Sequence, residues 1–280
     1  IEYYDYGPIE RRLDARSDGE RFIKEKFSAG GVSTVIDHMP NFVTGGNSWD
    51  RSGDPLAAIL PGGVAHGEYV AYLDRMATFL EQQAVGGVLV PILFRPFHEM
   101  NGDWFWWGDS TSGERFVALW RFTWEHLQKT RGLTNLLWVW SPNIRGGWGR
   151  PEFERYWPGS KYVDVVALDG YDNRPEPDFA SSAFRSSFRA VAEIAKRSKL
   201  PLAYSELGFE NGGQRIPGFW TRHFWPIMKR EYPQLSYVLI WNNAHGPKAG
   251  TPAADSFRQL AADRVWLLQG DVSGSDIYGP

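Results

Sequence analysis

The stretch GVLVPILFRPFHEMNGDWFWWG, residues 87–108, joins an apolar run to a loop that is rich in Gly, Asn, Asp and Trp. Its uncharged part, VLVPILF, is typical of a parallel strand that is covered on both faces. His98 and Glu99 follow this strand at its carboxyl end. A carboxylate at the end of a buried strand is costly without partners, so Glu99 becomes a candidate for chemistry.

The same order, a strand and then a helix, recurs along the chain. Apolar, β-branched or aromatic runs predict strands at 32–39, 87–99, 135–143, 162–172, 200–208 and 235–243. Apolar residues that repeat every three or four positions predict helices at 67–84, 111–129, 183–197 and 253–262. This alternation indicates βαβ units with a parallel sheet.

Polar and aromatic residues follow six of the predicted strands. They are Asp37-His38, His98-Glu99, Ser141–Asn143, Asp169–Tyr171, Ser205-Glu206 and Trp241-Asn242. A (β/α)8 barrel carries its active site on this rim, whereas a doubly wound open sheet concentrates its chemistry at one switch point. Six such strand ends therefore predict a (β/α)8 TIM barrel.

The strand count is one short of a closed barrel. With Tyr3–Tyr6 taken as the end of another strand, seven strands are found. We expect the missing first strand upstream of Ile1; alternatively, DRVWLLQGDVSG at 263–274 supplies it. No repeat or linker is visible, so residues 1–280 are predicted to form a single domain.

Composition excludes several classes of function. A net charge of −3 gives no reason to expect a nucleic-acid partner, and no uncharged apolar stretch is long enough for a membrane span. The chain has no cysteine, which excludes disulfides and thiolate metal sites. The sequence HEMN lacks the second histidine of a zinc-binding HExxH helix, so we predict no metal and no cofactor.

Tryptophan is unusually frequent, with 14 residues, and many of them lie in Gly- and Asn-rich segments such as NGDWFWWGD. Flat apolar rings in loops suggest the walls of a cleft, because sugar rings have apolar faces that stack on them. The histidines at strand ends, His38 and His98, are interpreted as donors to sugar hydroxyls or as supports for the carboxylates.

Glu99 and Glu206 form the candidate catalytic pair. Hydrolysis of a glycosidic bond with retention needs two carboxylic acids about 5–5.5 Å apart, one as the nucleophile and one as the acid and then the base. Each of these glutamates ends an apolar strand, and different environments can separate their two pKa values as the mechanism requires. The alternative for either residue is a structural ion pair or a solvated loop charge.

The segment FRPFHEMNGDWFWWG resembles the acid/base signature of glycoside hydrolase family 26, whose members are mostly endo-β-1,4-mannanases. WSPN at 140–143, DGYD at 169–172, SELG at 205–208 and IWNN at 240–243 follow in the order that the family shows. The resemblance covers roughly residues 1–245. It implies a clan-A (β/α)8 barrel in which the family's first strand has no counterpart in this chain.

The resemblance also implies roles for single residues. Glu99 is similar to the family's acid/base at the end of the fourth strand, and Glu206 to the nucleophile at the end of the seventh. The implied substrate-binding residues are His38, His98, Trp104, Tyr171 and Trp241; one of the neighbouring tryptophans is added to them as a cleft wall. Adjacent side chains cannot both face a cleft, so only one of Trp106 and Trp107 is expected there, and Trp107 is chosen.

The resemblance implies hydrolysis of β-1,4-mannosidic bonds in mannan, glucomannan or galactomannan. Two alternatives stay open: the same chemistry on β-1,3-xylan or mixed-linkage β-glucan, and a non-catalytic carbohydrate-binding barrel. A lectin would not need both carboxylates. We expect a monomeric, secreted or periplasmic protein that binds β-mannan polysaccharides or oligosaccharides and whose leader is not in this chain.

Overall fold

The structure, a computed structural model, describes residues 2–3, 9–108, 112–172, 181–208, 214–241 and 245–263, with side chains described from residue 18 onward. These residues form two compact units. The first contains residues up to 140 together with 155–164, and the second contains residues 141–154 and 165–263.

The first unit alternates strands with helices. In chain order its elements are β1 (Glu2–Tyr3), α1 (Ile9–Ser28), β2 (Ser33–Asp37), α2 (Pro55–Ile59), α3 (His66–Glu81), β3 (Ala84–Val85), β4 (Val88–Leu89), β5 (Ile92–Arg95), α4 (Glu114–Trp124) and β6 (Leu136–Trp140). A π-helical segment, Glu125–Thr130, continues α4, and a short 3₁₀ helix spans Ser160–Tyr162. Strands β1, β2, β5 and β6 lie side by side in that order and run parallel.

The predicted strand over 87–99 is wrong in its extent, because the segment forms two elements. Strand β4 pairs antiparallel with β3 across Gly86 and Gly87, which adopt positive φ values of 58° and 83°. Pro91 separates this hairpin from β5, and Pro96 directly follows the end of β5. A proline has no N–H for the sheet, so these two residues bracket the parallel strand.

Aromatic rings fill the core of the first unit. Phe94 of β5 contacts Trp138 of β6 edge to face, with ring centroids 5.0 Å apart. Trp120 of α4 packs on the same Trp138 ring at 5.7 Å, and its indole N–H donates to the carbonyl of Tyr162. Helix α4 is thereby fixed against the sheet beside the segment that follows β5.

The second unit repeats the strand and helix order. Its elements are α5 (Arg150–Glu154), β7 (Val165–Tyr171), α6 (Ser182–Ser198), β8 (Leu202–Gly208), α7 (Trp225–Glu231), β9 (Leu235–Ile240) and α8 (Pro252–Ala261). A π-helical segment, Phe219–Phe224, leads into α7. Strands β7, β8 and β9 are parallel neighbours.

Helix α6 shows why the predicted pattern holds in this unit. Ser181 caps its first turn, because its hydroxyl accepts a hydrogen bond from the backbone N–H of Phe184. Phe184 and Phe188, one helical turn apart, both pack on the ring of Tyr204 in β8, with centroid distances of 5.9 and 5.6 Å. The apolar face of the helix therefore covers the sheet.

The described residues contain seven parallel strands, and the predicted alternation of strands and helices is confirmed. Within that part of the chain, no helix is both long enough and apolar enough to cross a bilayer. Residues 264–274, the alternative source of an eighth strand, lie outside the described residues.

Candidate active site

Glu99 lies in a tight turn that begins where Pro96 follows β5. Phe97 and Glu99 both adopt left-handed backbone conformations, with φ values of 53° and 54°. Such conformations cost about 1–3 kcal/mol each in non-glycine residues and persist only where the surroundings fix them. Here the N–H of Gly102 donates to the carbonyl of Glu99 at 2.9 Å, and the indole of Trp107 donates to the carbonyl of His98 at 2.8 Å.

The carboxylate of Glu99 is held by a tryptophan. The indole N–H of Trp104 donates to Oε2 of Glu99 at 2.7 Å, and the glutamate is only 8% exposed. Gly102 allows this approach, because a Cβ atom at that position would lie 2.5 Å from the indole ring of Trp104. The Asn/Gly-rich loop therefore places a ring and an N–H donor directly on the candidate acid/base.

His38 and His98 come together beside this turn. Their rings meet edge to face with centroids 4.9 Å apart, and the indole of Trp49 stacks on His38 at 5.0 Å. Burial, and secondly the positive charge of Arg95, lowers the pKa of His38 from 6.5 to about 4. The same causes, together with His38, lower the pKa of His98 well below its usual value. Both imidazoles are therefore neutral at neutral pH.

Trp107 does not offer the sugar contact expected from the sequence. Its side chain is fully buried, and its ring stacks under Phe105 with centroids 4.4 Å apart. Trp106 is also buried, and its N–H donates to the carbonyl of Met39. We therefore replace the predicted role of Trp107 by a supporting one. Its indole N–H donates to the carbonyl of His98, and its ring packs against Phe105.

Trp49, in the loop that follows β2, contacts the site in the first unit. It remains 43% exposed while one face covers His38. Trp104 is half-buried. Trp104 beside Glu99 and Trp49 beside His38 therefore keep exposed surface in the first unit, whereas Trp106 and Trp107 do not.

The second unit places Glu206 on β8 with a tyrosine as its partner. The hydroxyl of Tyr171 donates to Oε2 of Glu206 at 2.5 Å, and the glutamate is 3% exposed. Tyr171 lies opposite Gly208 in the register of β7 and β8. A side chain at Gly208 would meet the tyrosine ring, since a Cβ atom there would lie 2.1 Å from it.

Asp169 is a buried neighbour of Glu206 in the second unit. A register shift between Leu168 and Asp169 sets Asp169 opposite Glu206 across the two strands. Asp169 is fully buried and accepts a hydrogen bond from the hydroxyl of Ser205 at 2.6 Å. The sequence placed Asp169 and Ser205 at strand ends without giving them a role, and no spacing signal revealed their contact.

Two further residues lie at the ends of the second unit's strands. Trp241 is half-buried, and its backbone N–H donates to the carbonyl of Leu207, the residue after Glu206. His245 meets the ring of Tyr171 edge to face at 5.5 Å. Four of the predicted residues thus form two hydrogen-bonded pairs. Glu99 pairs with Trp104 in the first unit, and Glu206 pairs with Tyr171 in the second.

Comparisons of the sequence with known proteins agree on one family. The sequence model of glycosyl hydrolase family 26 matches residues 1–248. The chain is 31% identical to "Mannan endo-1,4-beta-mannosidase A and B" of Caldalkalibacillus mannanilyticus over 82% of its own length and 44% of that protein. It is 32% identical to a mannan endo-1,4-beta-mannosidase of Bacillus subtilis, covering 86% of this chain and 65% of the relative.

Solved structures show the same likeness. An endo-beta-1,4-mannanase double mutant from Cellulomonas fimi aligns with a TM-score of 0.82 at 35% identity, over 94% of this chain and 61% of that one. A GH26 beta-mannanase from Bacteroides ovatus also gives 0.82, at 30% identity, over 92% and 76%. The chain spans less than two thirds of the length of the two curated relatives. The predicted fold class, a (β/α)8 barrel, is confirmed, and the chain belongs to glycosyl hydrolase family 26.

Proposed function

We propose that the chain is a retaining glycoside hydrolase that cleaves β-1,4-mannosidic bonds in mannan, glucomannan or galactomannan. The observation that carries this proposal is a matching pair of buried glutamates, each with one oxygen held by an aromatic donor: Glu99 by Trp104 and Glu206 by Tyr171. Membership of family 26 and relatives named mannan endo-1,4-beta-mannosidase support the choice of substrate.

The two glutamates have different roles in the proposed reaction. In the first step, Glu206 attacks the anomeric carbon as a carboxylate, while the protonated Glu99 gives its proton to the leaving glycosidic oxygen. In the second step, Glu99 removes a proton from water, and this water displaces Glu206 from the sugar. Active sites of (β/α)8 barrels lie at the carboxyl ends of the strands; Glu99 follows the carboxyl end of β5, and Glu206 lies near that of β8.

The donors on each glutamate suit these roles. Tyr171 donates to an oxygen of Glu206 at 2.5 Å, so it orients the carboxylate for attack on the anomeric carbon. Trp104 fixes Oε2 of Glu99 at 2.7 Å and limits rotation of the carboxyl group. Each catalytic group is thus held by one aromatic donor.

Substrate contacts are proposed for the remaining predicted residues. His38 and His98 are neutral, so each ring can both donate and accept hydrogen bonds with sugar hydroxyls. Trp104, Tyr171 and Trp241 are half-buried and keep exposed surface that a sugar can contact. Trp49, which is 43% exposed, is added as a further sugar contact. Trp107 is left out because it has no exposed surface.

The substrate is tested by reducing-sugar release from galactomannan, β-1,3-xylan and lichenan. We expect turnover on galactomannan and its loss in Glu206→Gln and Glu99→Gln, which keep the shape of the side chain. Faster turnover of xylan or lichenan would move the substrate within the family. Binding without turnover of any of them, measured by affinity electrophoresis, would support a carbohydrate-binding protein instead.

Retention is tested by NMR of the first product. Because a double displacement inverts the anomeric centre twice, the newly formed reducing end should appear first as the β-anomer. An α-anomer as the first product would refute the nucleophilic role of Glu206.

We further propose that the protein acts as a monomer outside the cytoplasm, where polymeric mannan is accessible. Fractionation of the source cells should place mannanase activity in the culture fluid or periplasm, and gel filtration should give a mass near 31.8 kDa for this chain. Activity confined to the cytoplasm, or a larger assembly, would contradict this.

A further inference from the structure

Two loops of the first unit bear on Glu99. One, the β2 loop, comprises residues 39–54, and the other, the acid/base loop, comprises residues 100–108. Asp103 of the acid/base loop lies between the two residues that contact Glu99. On one side Gly102 donates its N–H to the carbonyl of Glu99, and on the other Trp104 donates its indole N–H to the carboxylate. A shift of Asp103 would therefore reach the candidate acid/base through both neighbours.

The β2 loop is built around one buried amide. Asn41 is fully buried, and its side-chain N–H group donates to the carbonyls of Asp50 at 2.8 Å and Ser52 at 2.9 Å. Its side-chain oxygen accepts from the backbone N–H groups of Val43 and Thr44. The backbone is thus fixed on both sides of residue 51, the position between the two carbonyls.

Three hydrogen bonds join the β2 loop to the acid/base loop. The backbone N–H of Trp106 donates to the carbonyl of Ser48 at 2.9 Å, and its indole N–H donates to the carbonyl of Met39 at 2.9 Å. In the third hydrogen bond, the guanidinium of Arg51 donates to the carbonyl of Asp103 at 2.6 Å, across 52 positions of sequence.

We propose that Arg51 is a positioning residue for the acid/base, which holds the carbonyl of Asp103 and thereby keeps Trp104 against Glu99. This rests on the proposed function, in which Glu99 transfers the proton. A charged donor forms a stronger hydrogen bond than a neutral one, and the guanidinium has a rigid donor geometry. Asn41 adds to this by fixing the backbone from which the arginine extends. The left-handed turn at Glu99 needs such external support, because its conformation is unfavourable by itself.

The test compares Arg51→Met with Arg51→Lys and with Arg21→Met, which removes an exposed arginine of α1 paired with Asp18. The first readout is amide hydrogen exchange of residues 99–108, measured by mass spectrometry on the whole chain. We expect faster exchange there in Arg51→Met, partial protection in Arg51→Lys, whose ammonium can still donate, and no change in Arg21→Met.

The second readout is turnover of galactomannan and of an aryl β-mannoside with a good leaving group. Loss of the hydrogen bond from Arg51 to the carbonyl of Asp103 should lower kcat on galactomannan about two- to tenfold, the range expected for one hydrogen bond. It should lower the formation of the glycosyl-enzyme from the aryl mannoside less, because a good leaving group needs little proton donation.

Unchanged exchange of residues 99–108 in Arg51→Met would overturn the proposal, whatever the activity. An equal loss on both substrates would overturn it as well, because Arg51 would then not act through the acid/base. If the unaltered chain cleaves no mannan, the proposed function fails, and hydrogen exchange alone still decides whether Arg51 holds this loop.

Discussion

The indole N–H of Trp104 donates to Oε2 of Glu99 at 2.7 Å, which makes a tryptophan the direct partner of the candidate acid/base. Trp104→Phe keeps an aromatic ring but removes the N–H donor together with part of the ring surface. A hydrogen bond to a charged group is worth about 1.5–3 kcal/mol, so kcat on galactomannan should fall roughly 10- to 100-fold. Trp124→Phe, on α4, is the matched control. Equal kcat values for both variants would show that the donor does not assist Glu99.

A second prediction concerns the nucleophile. Tyr171→Phe removes the hydroxyl that donates to Glu206 at 2.5 Å, and we expect a fall in kcat of about 10- to 100-fold because the carboxylate is no longer oriented. Tyr162→Phe removes a longer contact, 3.3 Å, to Glu125 on the surface and should leave kcat unchanged. Full activity of Tyr171→Phe would contradict the orienting role.

A third prediction concerns acid stability. The pKa of His38 is lowered from 6.5 to about 4 in the folded chain, mainly by burial. Its contribution to the free energy of unfolding is therefore complete above about pH 6.5 and is lost as the pH falls toward about 4. One pKa unit corresponds to about 1.4 kcal/mol, so protonation of His38 should lower the free energy of unfolding by about 3 kcal/mol over this pH range.

Urea unfolding at pH 7 and pH 4 measures this effect. His38→Gln cannot take up the proton and should show a smaller loss of unfolding free energy between the two pH values than the unaltered chain. His223→Gln, at an exposed position, should retain the full loss. The same loss in His38→Gln as in the unaltered chain would exclude His38 as a source of the pH dependence.

A fourth prediction concerns the loop that carries Trp49. Asn41→Ala removes four part-buried side-chain hydrogen bonds, so the free energy of unfolding should fall by about 2–4 kcal/mol. The KM for mannan should rise, because Trp49 would no longer be held on His38. Thermal unfolding and steady-state kinetics test the two parts. A stable variant with an unchanged KM would contradict both.

The sequence predicted elements best where local pattern and tertiary packing agree. Helix α6 was predicted at 183–197 and spans Ser182–Ser198, because its cap and its apolar face point to the same answer. The prediction for 87–99 was too long because an uninterrupted apolar run concealed a hairpin turn at Gly86-Gly87 and a break at Pro91. Apolar content alone does not distinguish a core strand from a short exposed hairpin.

The candidate site shows the same limit at the level of single side chains. Glu99 and Glu206 could be found because a strand end is visible in sequence. The stacking of Trp49 on His38 could not, because 11 positions of irregular loop separate them. Nor could the sequence tell that both Trp106 and Trp107 are buried, because in a loop of this kind neighbouring side chains need not alternate between faces.

Burial of Phe105, Trp106 and Trp107 has a consequence for directed evolution of substrate preference. A library that randomises the conspicuous run FWW would mostly yield unfolded variants, because Trp106 and Trp107 anchor the backbone through their indole N–H groups. Diversity is better introduced at Trp49, which is 43% exposed and whose backbone N–H donates to the side chain of Asn47, a hydrogen bond that does not depend on its own side chain. Screening effort would then fall on a position that tolerates change.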